Sequence, residues 1–294
     1  MTELARALRR IWVDGRRVER VAYVVGLVLF LSGLVHVGIL LVTGWTWIGP
    51  VSLRKAATFG LSFGLTVASL AWVTSFLRLR ARGLVLGLFV VTSVVETALI
   101  SMQAWRGVPS HFNFSTPFDT AVSMALALGG GVLIVVGVVC TAAAFGGAGA
   151  LAPSMALAVR AGLVVLLVAF ATGAVMVARG VTESRGGAAQ LAYDTAGSLK
   201  PLHAVAMHAV LVLPGLAWLL AHTPWAEEQR LRLVWVAVVA DAVLTAVIGY
   251  EAFAGIPPLT PPLGLGVLSA VALVVLAAAG ALALRATLAV PRPA

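Results

Sequence analysis

The chain has 294 residues, of which 61% are hydrophobic and only 11% are charged, and its mean hydropathy is +1.05. A soluble domain carries about 25% charged residues, so this composition excludes an ordinary water-soluble protein. The net charge of +9 does not point to nucleic acid, because Lys and Arg of membrane proteins collect in cytoplasmic loops. Cys140 is the only cysteine, which excludes a disulfide framework.

The first segment of the chain is basic and contains no long apolar run. Residues 4–20 are expected to form an amphipathic helix that lies on the anionic inner leaflet. The apolar segment that follows has no small-residue cleavage site and precedes further apolar segments, so we interpret it as a retained span and not as a signal peptide.

Eight windows of the sequence are long and apolar enough to cross a bilayer, which takes about 20 residues. Lipid leaves no partner for unpaired backbone groups, and continuous apolar runs exclude a barrel, so each window is expected to be a helix. The fold class is therefore predicted as all-α, a polytopic transmembrane helix bundle of about eight spans. The windows are 21–43, 56–77, 83–104, 118–145, 155–178, 201–221, 231–253 and 263–285.

The domain organisation predicted from these windows is simple. Residues 1–20 form the basic amphipathic cytoplasmic segment, residues 21–286 form a single transmembrane bundle, and residues 287–294 form a short cytoplasmic tail.

The distribution of Lys and Arg predicts the orientation. With the N-terminus inside, fourteen of the 20 Lys and Arg residues fall on the inner side, which favours both termini in the cytoplasm. We therefore expect a multi-pass protein of the bacterial plasma (inner) membrane. The six on the outer side are Arg54, Lys55, Arg106, Arg179, Arg185 and Lys200.

Three ionisable side chains interrupt the apolar spans at one depth. His36, Glu96 and His208 each lie roughly 10–12 Å below the predicted outer boundary, at 1.5 Å per helical residue. Such residues are costly in lipid, so each is a candidate functional group. The alternative for each is an interhelical hydrogen bond, with Glu96 protonated, and Asp241 and Thr245 are interpreted in that way first.

A cationic rim lies above this layer. Arg54 and Lys55 follow Ser52, a plausible N-cap, in the first turn of the second span, and Lys200 precedes the sixth span. Cations oppose the dipole at a helix N-terminus, and a bound anion would remove that penalty. We favour haem propionates, a lipid phosphate or a carboxylate substrate; the alternative is snorkelling toward outer headgroups.

His203 is expected to belong to the rim and not to the buried layer. It is five residues from His208, so the two rings point about 140° apart on a helix and are not a same-face metal pair.

The segment between the third and fourth spans combines polar and aromatic residues, as a loop folded over a site does. Thr116 to Asp119 has a structural interpretation, since a Thr N-cap, a Pro and an acid open a helix. His111 and Asn113 are not explained by capping.

Three strings resemble an uncharacterised family of bacterial integral membrane proteins. They are Arg54 to Gly64, Ser110 to Asn113 with Thr116 to Asp119, and His203 to Pro214. The resemblance covers most of the chain and implies a shared site without naming a reaction. The Ala-, Val-, Leu-, Gly- and Arg-rich composition also resembles actinobacterial proteins.

The first functional hypothesis is a redox protein that binds haem or a metal. His36 and His208 would be metal ligands, the axial ligands of a b-type haem. The propionates would pair with the rim, which comprises Arg54, Lys55, Lys200 and His203.

The second hypothesis is a membrane-embedded enzyme acting on a lipid by metal-dependent or acid–base chemistry. Glu96, His111 and Asp119 would be catalytic, and zinc or iron would suit His and carboxylate ligands. The sequence has no H-E-x-x-H motif. A transporter is the third hypothesis, although no inverted repeat is evident, and a structural subunit with a membrane-complex partner is the fourth.

Overall fold

A computed structural model of the chain describes residues 3–45, 47, 49–146, 151–185, 193, 197–257 and 259–289. The described residues form nine helices and no strand, and eight of the helices are long and apolar enough to span a membrane. The all-α prediction with eight spans is thus confirmed. In chain order the helices are α1 (Glu3–Val13), α2 (Arg17–Thr43), α3 (Leu53–Ser75), α4 (Arg82–Trp105), α5 (Pro117–Gly146), α6 (Pro153–Arg185), α7 (Lys200–Ala221), α8 (Glu227–Ala254) and α9 (Leu263–Leu288).

The amphipathic helix α1 is shorter than the sequence predicts. It ends at Val13, and the first spanning helix begins at Arg17. The carboxylate of Glu19 accepts a hydrogen bond of 2.8 Å from the amide of Arg16, which satisfies a donor that a helix start leaves unpaired. Gly15, a weak helix former, lies just before this new start.

Successive spanning helices pack against each other, as short connections between antiparallel helices require. Helix α3 also packs against α7, which joins the first half of the bundle to the second. We call the end that carries segments 49–52, 106–116 and 259–262 the distal face. The end that carries α1 and segments 76–81 and 222–226 is the terminal face.

Glycines allow α2 and α3 to approach closely. A Cβ on Gly60 would lie 2.7 Å from the amide nitrogen of Gly33, and one on Gly64 would lie 2.7 Å from the carbonyl oxygen of Gly26. Small residues are the usual means by which membrane helices bring their backbones into contact. This contact fixes how the first turn of α3 is presented at the distal face.

A buried ion pair ties α2 to α4 at the terminal face. Arg82 Nη1 lies 3.0 Å from Glu19 Oε1, and Arg82 Nη2 donates to the carbonyl of Leu77 at 2.6 Å. A buried charge is tolerated when it is paired and hydrogen-bonded in this way.

Candidate functional site

The first turn of α3 places Arg54 at the distal face. Ser52 Oγ accepts a hydrogen bond of 3.1 Å from the amide of Arg54, as expected of an N-cap. The Arg54 guanidinium then donates through Nε to the carbonyl of Trp47 at 2.9 Å and through Nη2 to the hydroxyl of Tyr193 at 2.9 Å. The arginine is therefore held in one orientation by groups from two different segments.

Tyr193 lies at the centre of a group of cations. Its hydroxyl oxygen also accepts a hydrogen bond of 3.1 Å from the amide of Gly49. The ammonium of Lys200 lies 4.3 Å from the centroid of the Tyr193 ring, and that of Lys55 lies 5.7 Å from it. We call Arg54, Lys55, Lys200 and Tyr193 the cationic cluster.

Lys55 connects the cationic cluster to the loop between α4 and α5. Its ammonium donates to Ser110 Oγ at 3.5 Å, and Ser110 Oγ lies 3.0 Å from His111 Nδ1. The ring of His111 is flanked by Phe59 and Phe112, each with its centroid 5.8 Å away. The result is a polar chain from ammonium to hydroxyl to imidazole, closed on one side by aromatic rings.

His111 carries no charge at neutral pH. Burial, together with the positive charges of Lys55 and Lys200, lowers the pKa of His111 from 6.5 to about 3. Both causes disfavour the imidazolium. The imidazole therefore has a lone pair to offer and does not add to the positive charge around it.

The cationic cluster brings three positively charged side chains together around Tyr193. Among the described residues, the carboxylates that form ion pairs are those of Glu19, Asp119 and Glu227, and none of them pairs with Arg54 or Lys55. Lys55 feels the repulsion of both Arg54 and Lys200. Like charges that lie close together destabilise the folded state unless an anion lies among them.

His36 is held by two hydrogen bonds. Its Nδ1 contacts the carbonyl of Ser32 at 2.8 Å, so Nδ1 carries the proton and Nε2 is the acceptor. Nε2 accepts from Trp105 Nε1 at 3.1 Å. A metal at Nε2 would have to displace the Trp105 indole from this hydrogen bond.

His208 and His203 lie on α7, which packs against α3, α6, α8 and α9. The Nδ1 atoms of these histidines contact the carbonyls of Ala204 at 2.6 Å and of Ala169 at 2.7 Å, respectively. The described part of the chain contains no contact between His36 and His208 and no group of three or more His, Cys, Asp or Glu side chains suited to a metal. Coordination by His36 and His208 therefore stays a prediction.

Glu96 lies within the α4–α5 contact. It is only 5% exposed, and its carboxyl packs directly against Gly129 of α5. Within the described residues its Oε1 has no hydrogen-bond partner, and neither do Asp241 Oδ2 and Thr245 Oγ1 on α8. A catalytic role for Glu96 stays a prediction.

Asp119 is engaged at the start of α5. Its Oδ1 accepts from Arg106 at 2.7 Å and from Gln103 at 2.9 Å, and Oδ2 accepts from the hydroxyl of Thr116 at 2.7 Å. Thr116 in turn accepts from the amide of Asp119 at 3.1 Å, so Thr116 is the N-cap that the sequence predicts. The structure gives Asp119 a helix-capping role, and its catalytic role stays a prediction.

Tyr193, Ser110 and Trp105 are site residues that the sequence did not single out. Tyr193 stands in a long connection without a motif. Ser110 precedes His111, and only folding brings Lys55 to its hydroxyl. Trp105 ends α4 and resembles any interfacial aromatic residue, so sequence alone offered no signal for its bond to His36.

No family model matches the chain, and no curated protein or solved structure shows significant similarity to it. The eight apolar helices nevertheless define its class, a multi-pass α-helical membrane protein.

Proposed function

We propose that this multi-pass membrane protein binds a molecule bearing a phosphate or carboxylate group at the cationic cluster. The observation that carries the proposal is the convergence of Arg54, Lys55 and Lys200 on the ring and hydroxyl of Tyr193. The start of α3 adds the positive end of a helix dipole. An anion between these groups would relieve their mutual repulsion and gain charge-assisted hydrogen bonds.

Three kinds of molecule supply that chemistry: the propionates of a haem, the phosphate of a lipid and a soluble carboxylate or phosphate. In each case the anionic group would contact Arg54 and Lys55, and His203 would lie toward the rim of the site. An absorption spectrum of the purified protein separates the first kind from the others, because a bound haem gives a Soret band.

Thermal unfolding of the full chain in detergent tests the proposal. A ligand that binds only the folded state raises the melting temperature by mass action. We expect a rise with inorganic phosphate, acetate or phosphatidylglycerol in the wild type and its loss in Arg54→Met and Lys55→Met. Without ligand, Lys55→Met should melt at or above the wild-type temperature, since it removes a repelled charge.

Arg78→Met is the matched control, because Arg78 is exposed on the terminal face. This variant should respond to each anion as the wild type does. An anion-induced rise that is the same in Lys55→Met and in Arg78→Met would mean nonspecific screening and would overturn the proposal.

A second candidate is an acid–base enzyme acting on the bound anion or on its ester. The observation that favours it is the approach of Ser110 Oγ to within 3.0 Å of His111 Nδ1, with Lys55 also in contact. A serine beside a base is the usual arrangement of an activated nucleophile. His111 would accept the hydroxyl proton, and the cationic cluster would stabilise the oxyanion.

Labelling with a fluorophosphonate tests this second candidate. We expect covalent modification of Ser110 in the wild type, no modification in Ser110→Ala, and a slower reaction in His111→Gln. Ser115→Ala is the control, since this exposed serine lies in the same loop. An unlabelled wild type that still binds anions would leave binding as the function of the site.

A further inference from the structure

A cavity of about 340 Å³ lies at the terminal face, on the opposite side of the bundle from the cationic cluster. It is open to the surroundings and is lined by the end of α1, the start of α2, and the last turns of α3 and α7. Three aromatic side chains form one wall. The ring centroid of Trp72 lies 5.3 Å from that of Phe76 and 6.3 Å from that of Trp218, and both pairs are edge-to-face. His222 extends this wall at 4.7 Å from Trp218.

The polar lining of the cavity carries both signs of charge. Arg10 and Asp14 come from the end of α1, and Glu19 comes from the first turn of α2. Glu19 is neutralised by Arg82, whereas Arg10 and Asp14 take part in none of the ion pairs of the described residues. The cavity therefore offers one cation and one carboxylate beside aromatic rings.

An apolar groove of about 350 Å³ lies between α7 and α9. Leu211, Gly215, Leu276 and Gly280 line it together with Trp218. A Cβ on Gly215 or on Gly280 would meet nothing within 4 Å. Because neither glycine carries a side chain, the groove stays open along the surface of the bundle.

The groove and the cavity adjoin at one residue of α7. Trp218 lines both of them. Four lining residues recur at helical spacing on one face of α7, and this face runs for about 16 Å. They are Leu211, Gly215, Trp218 and His222.

We propose that the groove and the cavity together bind one glycerophospholipid with a zwitterionic headgroup. An acyl chain fills the groove, the phosphate contacts Arg10, and the ammonium lies near Asp14 and the aromatic wall. Aromatic faces attract ammonium groups, and a carboxylate adds to that attraction. An amphipathic helix such as α1 lies at headgroup depth, which puts Arg10 and Asp14 at the level of a lipid phosphate and amine.

Native mass spectrometry of the full chain in detergent tests this site. Phosphatidylethanolamine is titrated into the protein, and the retained lipid is counted. We expect one tightly held lipid in the wild type and about tenfold weaker retention in Gly280→Leu, because the added side chain displaces about two methylene groups of the acyl chain. Gly215→Leu fills the same groove from the opposite helix and should act alike.

Gly87→Leu is the matched control, since a Cβ on Gly87 also meets nothing within 4 Å and α4 does not line the groove. It should retain lipid as the wild type does. Equal lipid retention in all three glycine variants would mean that only annular lipid is bound, and it would overturn the proposed lipid site in the groove. Melting temperatures of the variants confirm that each is folded.

The headgroup assignment has its own test. Asp14→Asn should weaken the retention of phosphatidylethanolamine several-fold and leave the retention of phosphatidylglycerol unchanged, because only phosphatidylethanolamine carries an ammonium. These measurements use a Lys55→Met background, which removes phosphatidylglycerol binding at the cationic cluster. In that background, phosphatidylglycerol held as tightly as phosphatidylethanolamine, or an Asp14→Asn variant with unaltered preference, would overturn the zwitterionic headgroup.

Discussion

Buried polar side chains in this bundle differ in whether a neighbour satisfies them. The imidazole of His36 is 7% exposed and has partners at both ring nitrogens. Glu96 is equally buried, yet one of its oxygens has no partner among the described residues. In lipid an unsatisfied group is costly, so the two residues are expected to respond differently to substitution of their neighbours.

Replacing Trp105 with Phe tests the bond to His36. Phe keeps an aromatic ring but lacks the Nε1 donor, so His36 Nε2 is left buried without a partner. We expect a loss of about 1–3 kcal/mol of unfolding free energy, measured as a lower melting temperature. Trp235→Phe is the comparison, because Trp235 is exposed. Identical melting of the two variants would contradict a structural hydrogen bond at His36.

The pH dependence of stability tests the environment of His111. Its pKa is about 3 in the folded protein and returns to about 6.5 on unfolding. Between these values the unfolded chain binds a proton that the folded chain does not, so stability falls as the pH drops below about 6.5. His111→Gln removes this contribution, so the melting temperatures of variant and wild type should differ between pH 7 and pH 5. A pH-independent difference between them would place His111 in contact with water.

At the scale of the helices, the pairing of α2 with α3 depends on the absence of side chains. Gly60 contacts the backbone of Gly33, and Gly64 contacts that of Gly26. Larger residues would push α3 outward and move the turn that carries Arg54 and Lys55. The geometry of the cationic cluster therefore depends on packing several turns away from it.

Gly60→Ala tests this dependence. The new methyl would lie 2.7 Å from the amide nitrogen of Gly33, and overpacking of this kind costs about 1–3 kcal/mol. We expect a lower melting temperature and weaker binding of phosphate. Gly38→Ala on α2 is the control, since a Cβ there meets nothing within 4 Å and Ala favours the helix. If the two variants behave alike, close approach of α2 and α3 does not matter.

Charge is distributed unevenly over the whole molecule. The terminal face carries α1 with its arginines and the arginines of segment 76–81, whereas the distal face carries the compact cationic cluster. Lys and Arg near helix ends favour the cytoplasmic side. The sequence therefore predicts that the terminal face is cytoplasmic.

Cysteine labelling of intact cells tests this orientation. In a Cys140→Ala background, Thr260→Cys reports on the distal face and Arg78→Cys on the terminal face, and both positions are exposed. A membrane-impermeant maleimide should modify Thr260→Cys in intact cells and Arg78→Cys only after lysis. The reverse pattern would place both termini outside.

The sequence alone determined the architecture of this protein. The number of spans follows from apolar length and from breakers, because lipid forces every backbone group to pair within its own helix. The caps at Ser52 and Thr116 also follow from local residue types, since the residues that form them are close in the chain.

Only the tertiary structure decided which polar groups meet. Equal depth grouped His36, Glu96 and His208, but depth does not specify direction, and packing turns His36 toward Trp105 and Glu96 toward Gly129. Folding brings Tyr193 into the cationic cluster and Ser110 to the ammonium of Lys55, both from distant segments. Side-chain partners between helices depend on which faces pack, and an apolar span gives little sign of its facing side when lipid and protein interior are equally apolar.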